Sequence, residues 1–213
     1  MIVSDSEENL RRISEVIARG GVIAFRTDTF YGLGADPFNA TAVQRIKDLK
    51  GREENKPILV LISDRNNLDR LIQTRSTAFD ELASRFWPGP LTIIGKATDE
   101  LPNELTAGTK TVGVRLPDDD RVRALARACG GALTATSANP SSEPPARTAE
   151  DVANYFGERV DLIVDGGAAQ TDRPSTVVDA TSAELKPIRE GVISWSEIES
   201  PLIQSGVEPP HSK

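Results

Sequence analysis

The 213-residue chain predicts a single α/β domain with a twisted, mostly buried, mixed β-sheet flanked by helices. Three observations carry this expectation. Continuous apolar runs, such as Ile58-Leu-Val-Leu-Ile62, alternate with segments of helical spacing, as buried strands between helices do. Some connections between these runs are too short for a crossover helix, so strand directions must be mixed. With 38% hydrophobic and 27% charged residues, and with no internal repeat or composition break, the chain can bury one proper core.

The elements follow in order. Leu10, Ile13, Val16 and Ile17 have helical spacing within 6–19, and Gly20-Gly21 supplies a stop. Val22-Ile-Ala-Phe25 reads as a buried strand that runs into the polar stretch Arg26-Thr-Asp-Thr29. Asn39 caps a second helix with Val43, Ile46 and Leu49 inward, cations in its C-terminal half and Gly51 just after it. Ile58–Ile62 is the next strand. Ser76 starts a helix through Phe79, Leu82 and Phe86, which Trp87-Pro-Gly-Pro90 stops before the strand Leu91–Ile94. Further strands are expected at Thr111–Arg115, Ala132–Ala135, Leu162–Asp165 and Thr176–Asp179. Helices are expected near 119–129 and 148–156, the second opening on Thr148-Ala-Glu-Asp151, a capping-box spacing with Asp in the acidic place. The stretches 140–145 and 166–175 read as surface loops, and 205–213 as a disordered tail after a domain of residues 1–204.

The scarcest residues exclude whole reaction classes. The single histidine, His211, lies in the Pro-rich tail, and Cys129 is the only cysteine. A histidine-based nucleophile pair or general base inside the fold, a His- or Cys-rich zinc site and an internal disulfide are therefore ruled out. Chemistry falls to Lys, Arg, carboxylates, hydroxyls, backbone amides or a metal brought by the substrate, a profile that suits phosphate. A net charge of −7 disfavours coating nucleic acid through bulk charge. No run approaches the roughly 18 apolar residues of a membrane span, and the start lacks a signal-peptide pattern, so a cytoplasmic protein is expected.

Ligands of open α/β sheets bind beyond the carboxyl ends of strands, and the polar residues there form a consistent set. Thr27, Asp28 and Thr29 follow the strand 22–25, and Arg115 ends 111–115. Thr136, Ser137 and Asn139 follow 132–135, Ser175 precedes Thr176, and the helix from residue 39 ends in Lys50-Gly-Arg52, with Lys56 beyond. Hydroxyls, amides and fixed cations make a concave anion site. The bland reading stands beside it, because Ser, Thr and Asn favour turns and cations at a helix C-terminus complement its dipole. Phosphate-loop and dinucleotide fingerprints are absent; Gly32-Leu-Gly34 has no third glycine. Asp118-Asp-Asp120 reads as a helix N-terminus rather than a metal site, and Cys129 as a small buried hydrophobe.

Six segments fall in the order and spacing of the threonylcarbamoyl-AMP synthases: Thr27-Asp-Thr-Phe-Tyr-Gly-Leu33, Lys50-Gly-Arg52, Val112-Gly-Val-Arg-Leu-Pro117, Ser137-Ala-Asn139, Pro174-Ser-Thr-Val-Val-Asp179 and Arg189-Glu-Gly191. The set spans roughly residues 8 to 193, and the chain resembles the short, single-domain bacterial type of that family. The resemblance implies a nucleotidyltransferase that condenses L-threonine, bicarbonate and ATP to threonylcarbamoyl-AMP and pyrophosphate. A separate transferase machinery then places the threonylcarbamoyl group on a tRNA adenosine. It further implies Lys50 and Arg52 as the catalytic pair. Arg52, Lys56, Thr111, Ser137, Asn139 and Arg189 would bind ATP, and Thr29, Arg115 and Ser175 would bind threonine. Mg²⁺ would arrive on the phosphates of ATP rather than on protein ligands.

The chain departs from the family pattern at several positions. Arg26 stands where proline is usual, adding a cation at the expected mouth of the site, and Lys56 stands where longer members have asparagine. Leu61 replaces a threonine-contacting histidine of some members, and Pro145 replaces a nucleotide-contacting serine, so neither contact is carried over. Two other readings share the fold. An RNA-binding module, with weak RNA binding, requires residues 45–56 to join Arg26, Arg115 and Arg189 in one basic stripe. A non-synthase paralogue tends to lose the Lys-x-Arg and Ser-x-Asn motifs, which this chain keeps.

Overall fold

Helix boundaries in the computed structural model, which describes residues 1–51 and 56–199, follow local side-chain chemistry. Helix α1 (Glu7–Ala18) buries Ile13 and Ile17. Asn39 caps α2 (Ala40–Lys50) by accepting from the Ala42 amide at 3.1 Å. Gly51 closes that helix at φ 57°, the left-handed conformation in which the missing Cβ removes the steric cost. Ser76 caps α3 (Thr77–Phe86) through the Phe79 amide, and a short α4 spans Asn103–Thr106. Asp119 caps α5 (Asp120–Ala128) through the amides of Arg121 and Val122. Helix α6 (Ala149–Phe156) opens on a complete capping box between Thr148 and Asp151, as its spacing predicts.

The strands are β1 (Ile2–Ser4), β2 (Ile23–Arg26), β3 (Tyr31–Gly34), β4 (Leu59–Ile62), β5 (Ile72–Thr74), β6 (Leu91–Ala97), β7 (Thr111–Arg115), β8 (Ala132–Ser137), β9 (Leu162–Asp165), β10 (Thr176–Asp179) and β11 (Lys186–Arg189). They form one mixed sheet of order β1-β9-β2-β3-β8-β4-β7-β6-β10-β11, and β5 pairs with the end of β6 beyond β10. Strands β2, β9 and β1 run parallel, as do β4 with β7 and β6 with β10; β3 and β8 are paired antiparallel. Strands β1, β3, β5 and β11 have no counterpart among the sequence expectations. Tyr31–Gly34 carries two glycines, β1 and β5 are three residues long, and β11 is exposed along its length with Pro187 inside it. None of these has the apolar run that marks the other strands.

Alternation along the strands sorts side chains to two faces. One face holds the larger core, with Ala24, Leu33, Val60, Ile93 and Val114 packed beneath Val43, Ile46, Phe79 and Val152 of the helices. The opposite face is covered only over part of its width. There Ile23, Phe25, Leu61 and Leu133 pack against Ile13 and Ile17 of α1 and Val122 and Leu125 of α5. Toward β7, β6 and β10, that face carries Gly113, Arg115, Thr92, Ile94 and Val177 with no helix packed on them, and the sheet is left open as a concavity.

Candidate active site

The open part of the sheet is the floor of a cleft of about 580 Å³, within the usual size range of small-molecule sites. Small residues make the room: Gly32, Gly113 and Ala135 all line it. A Cβ added at Gly113 would stand 3.0 Å from the Thr92 methyl group. Among the described residues, Lys50, Lys56, Arg115 and Arg189 line this cleft and no Asp or Glu does, in a chain whose net charge is −7. The sequence locates polar groups at strand ends; the structure brings them to the rim of a sheet face.

Each wall has its own construction. The turn after β2 is fixed by Thr27, whose hydroxyl donates to the Phe30 carbonyl at 2.7 Å and accepts the Thr29 amide at 3.1 Å. This buries the hydroxyls of Thr27 and Thr29 side by side, 3.1 Å apart. At the carboxyl end of β7, Arg115 is 3% exposed, with Nη2 2.9 Å from Oδ1 of Asp28. Burial lowers the guanidinium pKa and the Asp28 carboxylate opposes that shift. Arg189 at the end of β11 is likewise lowered, first by desolvation and then by repulsion from Arg115. Two mutually repelling guanidiniums at one wall form a site for an anion.

Ser175 is buried beneath that wall, where its hydroxyl lies 3.1 Å from that of Thr92 and 3.3 Å from Arg189 Nη2. Thr92 is not among the site residues expected from the sequence, although a polar residue one place into Leu91-Thr-Ile-Ile94 breaks that apolar run. Asp28 is not among those residues either.

On the opposite wall Lys50, 5% exposed, donates to the carbonyl oxygens of Ser137 at 2.5 Å and Asn139 at 2.8 Å, and to Asn139 Oδ1 at 3.3 Å. The Asn139 amide donates to the carbonyls of Pro140 and Glu143. Lys50 and Asn139 thus hold the loop that presents Ser137, half-buried and within 3.5 Å of the Lys50 ammonium.

Eight of the site residues expected from the sequence line one cleft: Thr29, Lys50, Lys56, Arg115, Ser137, Asn139, Ser175 and Arg189. Thr111 does not line it. It sits on the same face of β7 two residues before Gly113, with its hydroxyl 2.8 Å from that of Thr109. Arg52 lies outside the described residues, as does the expected tail 205–213. Arg26 is not at the mouth of the site: its side chain, 9% exposed, is turned to Asp119 at 2.7 Å and does not line the cleft. Leu61 is buried against the α1/α5 core and does not line it either. Of the cations an RNA-binding stripe would need, Lys50, Lys56, Arg115 and Arg189 line the cleft, whereas Arg45 pairs with Asp161 and Arg26 with Asp119 and neither lines it.

The family described as Telomere recombination, the Sua5/YciO/YrdC group, matches residues 15–191. The chain belongs to the Sua5/YciO/YrdC family. It is 40% identical over 169 residues to the threonylcarbamoyl-AMP synthase of Thiobacillus denitrificans, covering 79% of this chain and 89% of that one. With the threonylcarbamoyl-AMP synthase of Halorhodospira halophila it shares 36% identity over 173 residues, or 81% of this chain and 91% of that one. Among solved structures, Sua5 of P. abyssi complexed with L-threonine superposes with a TM-score of 0.92 at 32% identity. That match covers 99% of this chain and 62% of the Sua5 chain. The chain shares its α/β fold with these proteins, and among the described residues no helix is long and apolar enough to cross a membrane.

Proposed function

We propose that this chain is an L-threonylcarbamoyladenylate synthase, which condenses L-threonine, bicarbonate and ATP to threonylcarbamoyl-AMP and pyrophosphate in the cytoplasm. The observation that carries the reading is the cleft itself: Arg115, Arg189, Lys50 and Lys56 around a small-residue floor, with buried hydroxyls and no carboxylate in its described lining. All three substrates are anions or carry a carboxylate. The relatives' names and the threonine complex of the P. abyssi protein support the same assignment.

The chemistry asks little covalent work of the protein. The threonine amine adds to CO₂ derived from bicarbonate and loses a proton, giving a carbamate. A carbamate oxygen then attacks the α-phosphorus, and the bond to the bridging oxygen breaks to release pyrophosphate. Alignment of the anions and neutralisation of the developing charge supply the catalysis. In this proposal the planar fork of Arg115 clamps the amino-acid carboxylate, with Thr29 and Ser175 beside it. Lys56, Ser137 and Arg189 face the nucleotide, with Asn139 and Lys50 holding the Ser137 loop, and Arg52 completes the phosphate contacts. Mg²⁺ bound to the ATP phosphates would shield their charge, and a cleft lined by hydroxyls and cations would leave it to the substrate rather than to protein ligands. The product passes to a transferase that modifies tRNA.

Pyrophosphate release by the purified protein with ATP and Mg²⁺, omitting threonine and then bicarbonate, tests the reading. Release that needs both, with a nucleotide of threonylcarbamoyl-AMP mass, is the expected result. Folded protein that binds ATP without that release would exclude it.

A further inference from the structure

We infer that Asp28 is a positioning residue for Arg115, holding its guanidinium in the orientation from which it clamps the carboxylate of an α-amino acid. The inference rests on the function proposed above. A guanidinium keeps its charge in a protein, so burying Arg115 to 3% exposure calls for a nearby negative charge. Asp28 supplies it, with Oδ1 2.9 Å from Arg115 Nη2 and a side chain 11% exposed. Arg189, the other cation at this wall, repels Arg115.

The backbone that carries the Asp28 carboxylate is itself fixed. Asp28 sits inside the turn closed by the Thr27 amide and hydroxyl on the Phe30 carbonyl and by the Thr29 amide on the Thr27 hydroxyl. Arg115 lines the cleft and Asp28 does not, so the carboxylate supports the guanidinium from outside the lining. Their contact is an ion pair without hydrogen-bond alignment: Asp28 Oδ1 and Arg115 Nε are both buried with no hydrogen-bond partner. Asp28 therefore balances the guanidinium charge at Nη2 without an aligned hydrogen bond there. An incoming carboxylate meets a planar cation already held in place from outside the lining.

Calorimetric titration of threonine and, separately, of ATP into wild type, Asp28→Asn, Asp28→Glu, Arg115→Lys and the Asp28→Asn/Arg115→Lys double variant tests this. Asp28→Asn is expected to weaken threonine at least about tenfold and to leave ATP within about threefold. Asp28→Glu is expected to recover part of the threonine affinity, and the double variant to bind threonine no more weakly than Arg115→Lys alone. Unchanged threonine affinity in Asp28→Asn, equal weakening of both ligands, or losses that multiply in the double variant would overturn the inference. Should Asp28→Asn fail to fold, Asp28→Glu carries the test, because the longer side chain displaces the guanidinium: threonine weakened with ATP unchanged supports the inference, and threonine bound as by wild type overturns it. Wild-type protein that binds ATP but no threonine would overturn the functional reading and this inference with it. A defect confined to the variants' predicted pattern bears on Asp28 alone.

Discussion

Arg189 holds Ser175 through a fork, with Nε and Nη2 both donating to the Ser175 carbonyl oxygen at 3.2 and 2.9 Å. The contact ties β11, exposed along its length, to the residue that leads into β10. Arg189→Ala removes a wall cation and releases the Ser175 loop together. Both threonine and ATP affinity are expected to fall about tenfold or more, since charge-assisted bonds are the stronger class. The side chain lies at the cleft wall and packs into neither hydrophobic core, so the melting temperature should move little. Calorimetric titration of each ligand, with a thermal melt of the same sample, reads both.

Arg26 offers the opposite behaviour. Its buried ion pair with Asp119 joins the end of β2 to the cap of α5, away from the cleft. Arg26→Ala leaves Asp119 without its partner and is expected to cost about 3 kcal/mol, lowering the melting temperature by roughly 6–12 °C for a chain of this size. Pyrophosphate release below the melting transition should keep its order of magnitude. Unchanged stability would show that the pair is not part of the fold's support.

Gly113→Val tests the floor of the cleft. The new Cβ would stand 3.0 Å from the Thr92 Cγ2 atom, a crowding worth about 1–3 kcal/mol, and the branched side chain would stand on the cleft floor. Turnover is expected to fall at least about tenfold while the protein still folds cooperatively. Wild-type turnover would place the reacting groups elsewhere.

A buried phenol and a half-buried thiol set an alkaline limit on stability. Burial, and next Asp36, pushes the Cys129 thiol from 9.0 up to about 12. Burial likewise raises the Tyr31 phenol from 10.0 to about 12, while the hydrogen bond with Gly166 opposes it. A raised folded pKa means that the unfolded chain releases its proton first, so stability is intact below about pH 9 and falls as pH rises toward 12. Denaturant melts across that window should show the decline, and Cys129→Ser should remove part of it. Because the thiolate is the reactive form, alkylation of Cys129 in the folded protein should be slow at neutral pH.

What the sequence made legible was local. The caps at Asn39, Ser76 and Thr148 and the stop at Gly51 act within four residues, and all appear where their spacing places them. The buried strands were legible because apolar runs mark them. Partnerships across the chain were not: Arg26 finds Asp119, 93 residues away, and Tyr31 donates to the Gly167 carbonyl, 136 residues away. The site residues were recognisable as a set of chemical types. Their arrangement depends on which sheet face the helices leave bare. Register explains Thr111 in the same way: facing Lys96 on β6, it lies one alternation past the cleft floor at Gly113.

In the proposed function, Arg115 receives the threonine carboxylate inside this cleft. Threonine dependence of pyrophosphate release at saturating ATP and bicarbonate, in wild type and Arg115→Lys, tests it most directly. A point charge cannot form the two-pronged contact, so threonine KM should rise at least about tenfold with ATP KM nearly unchanged. Equal losses for both substrates, or none for threonine, would contradict the assignment.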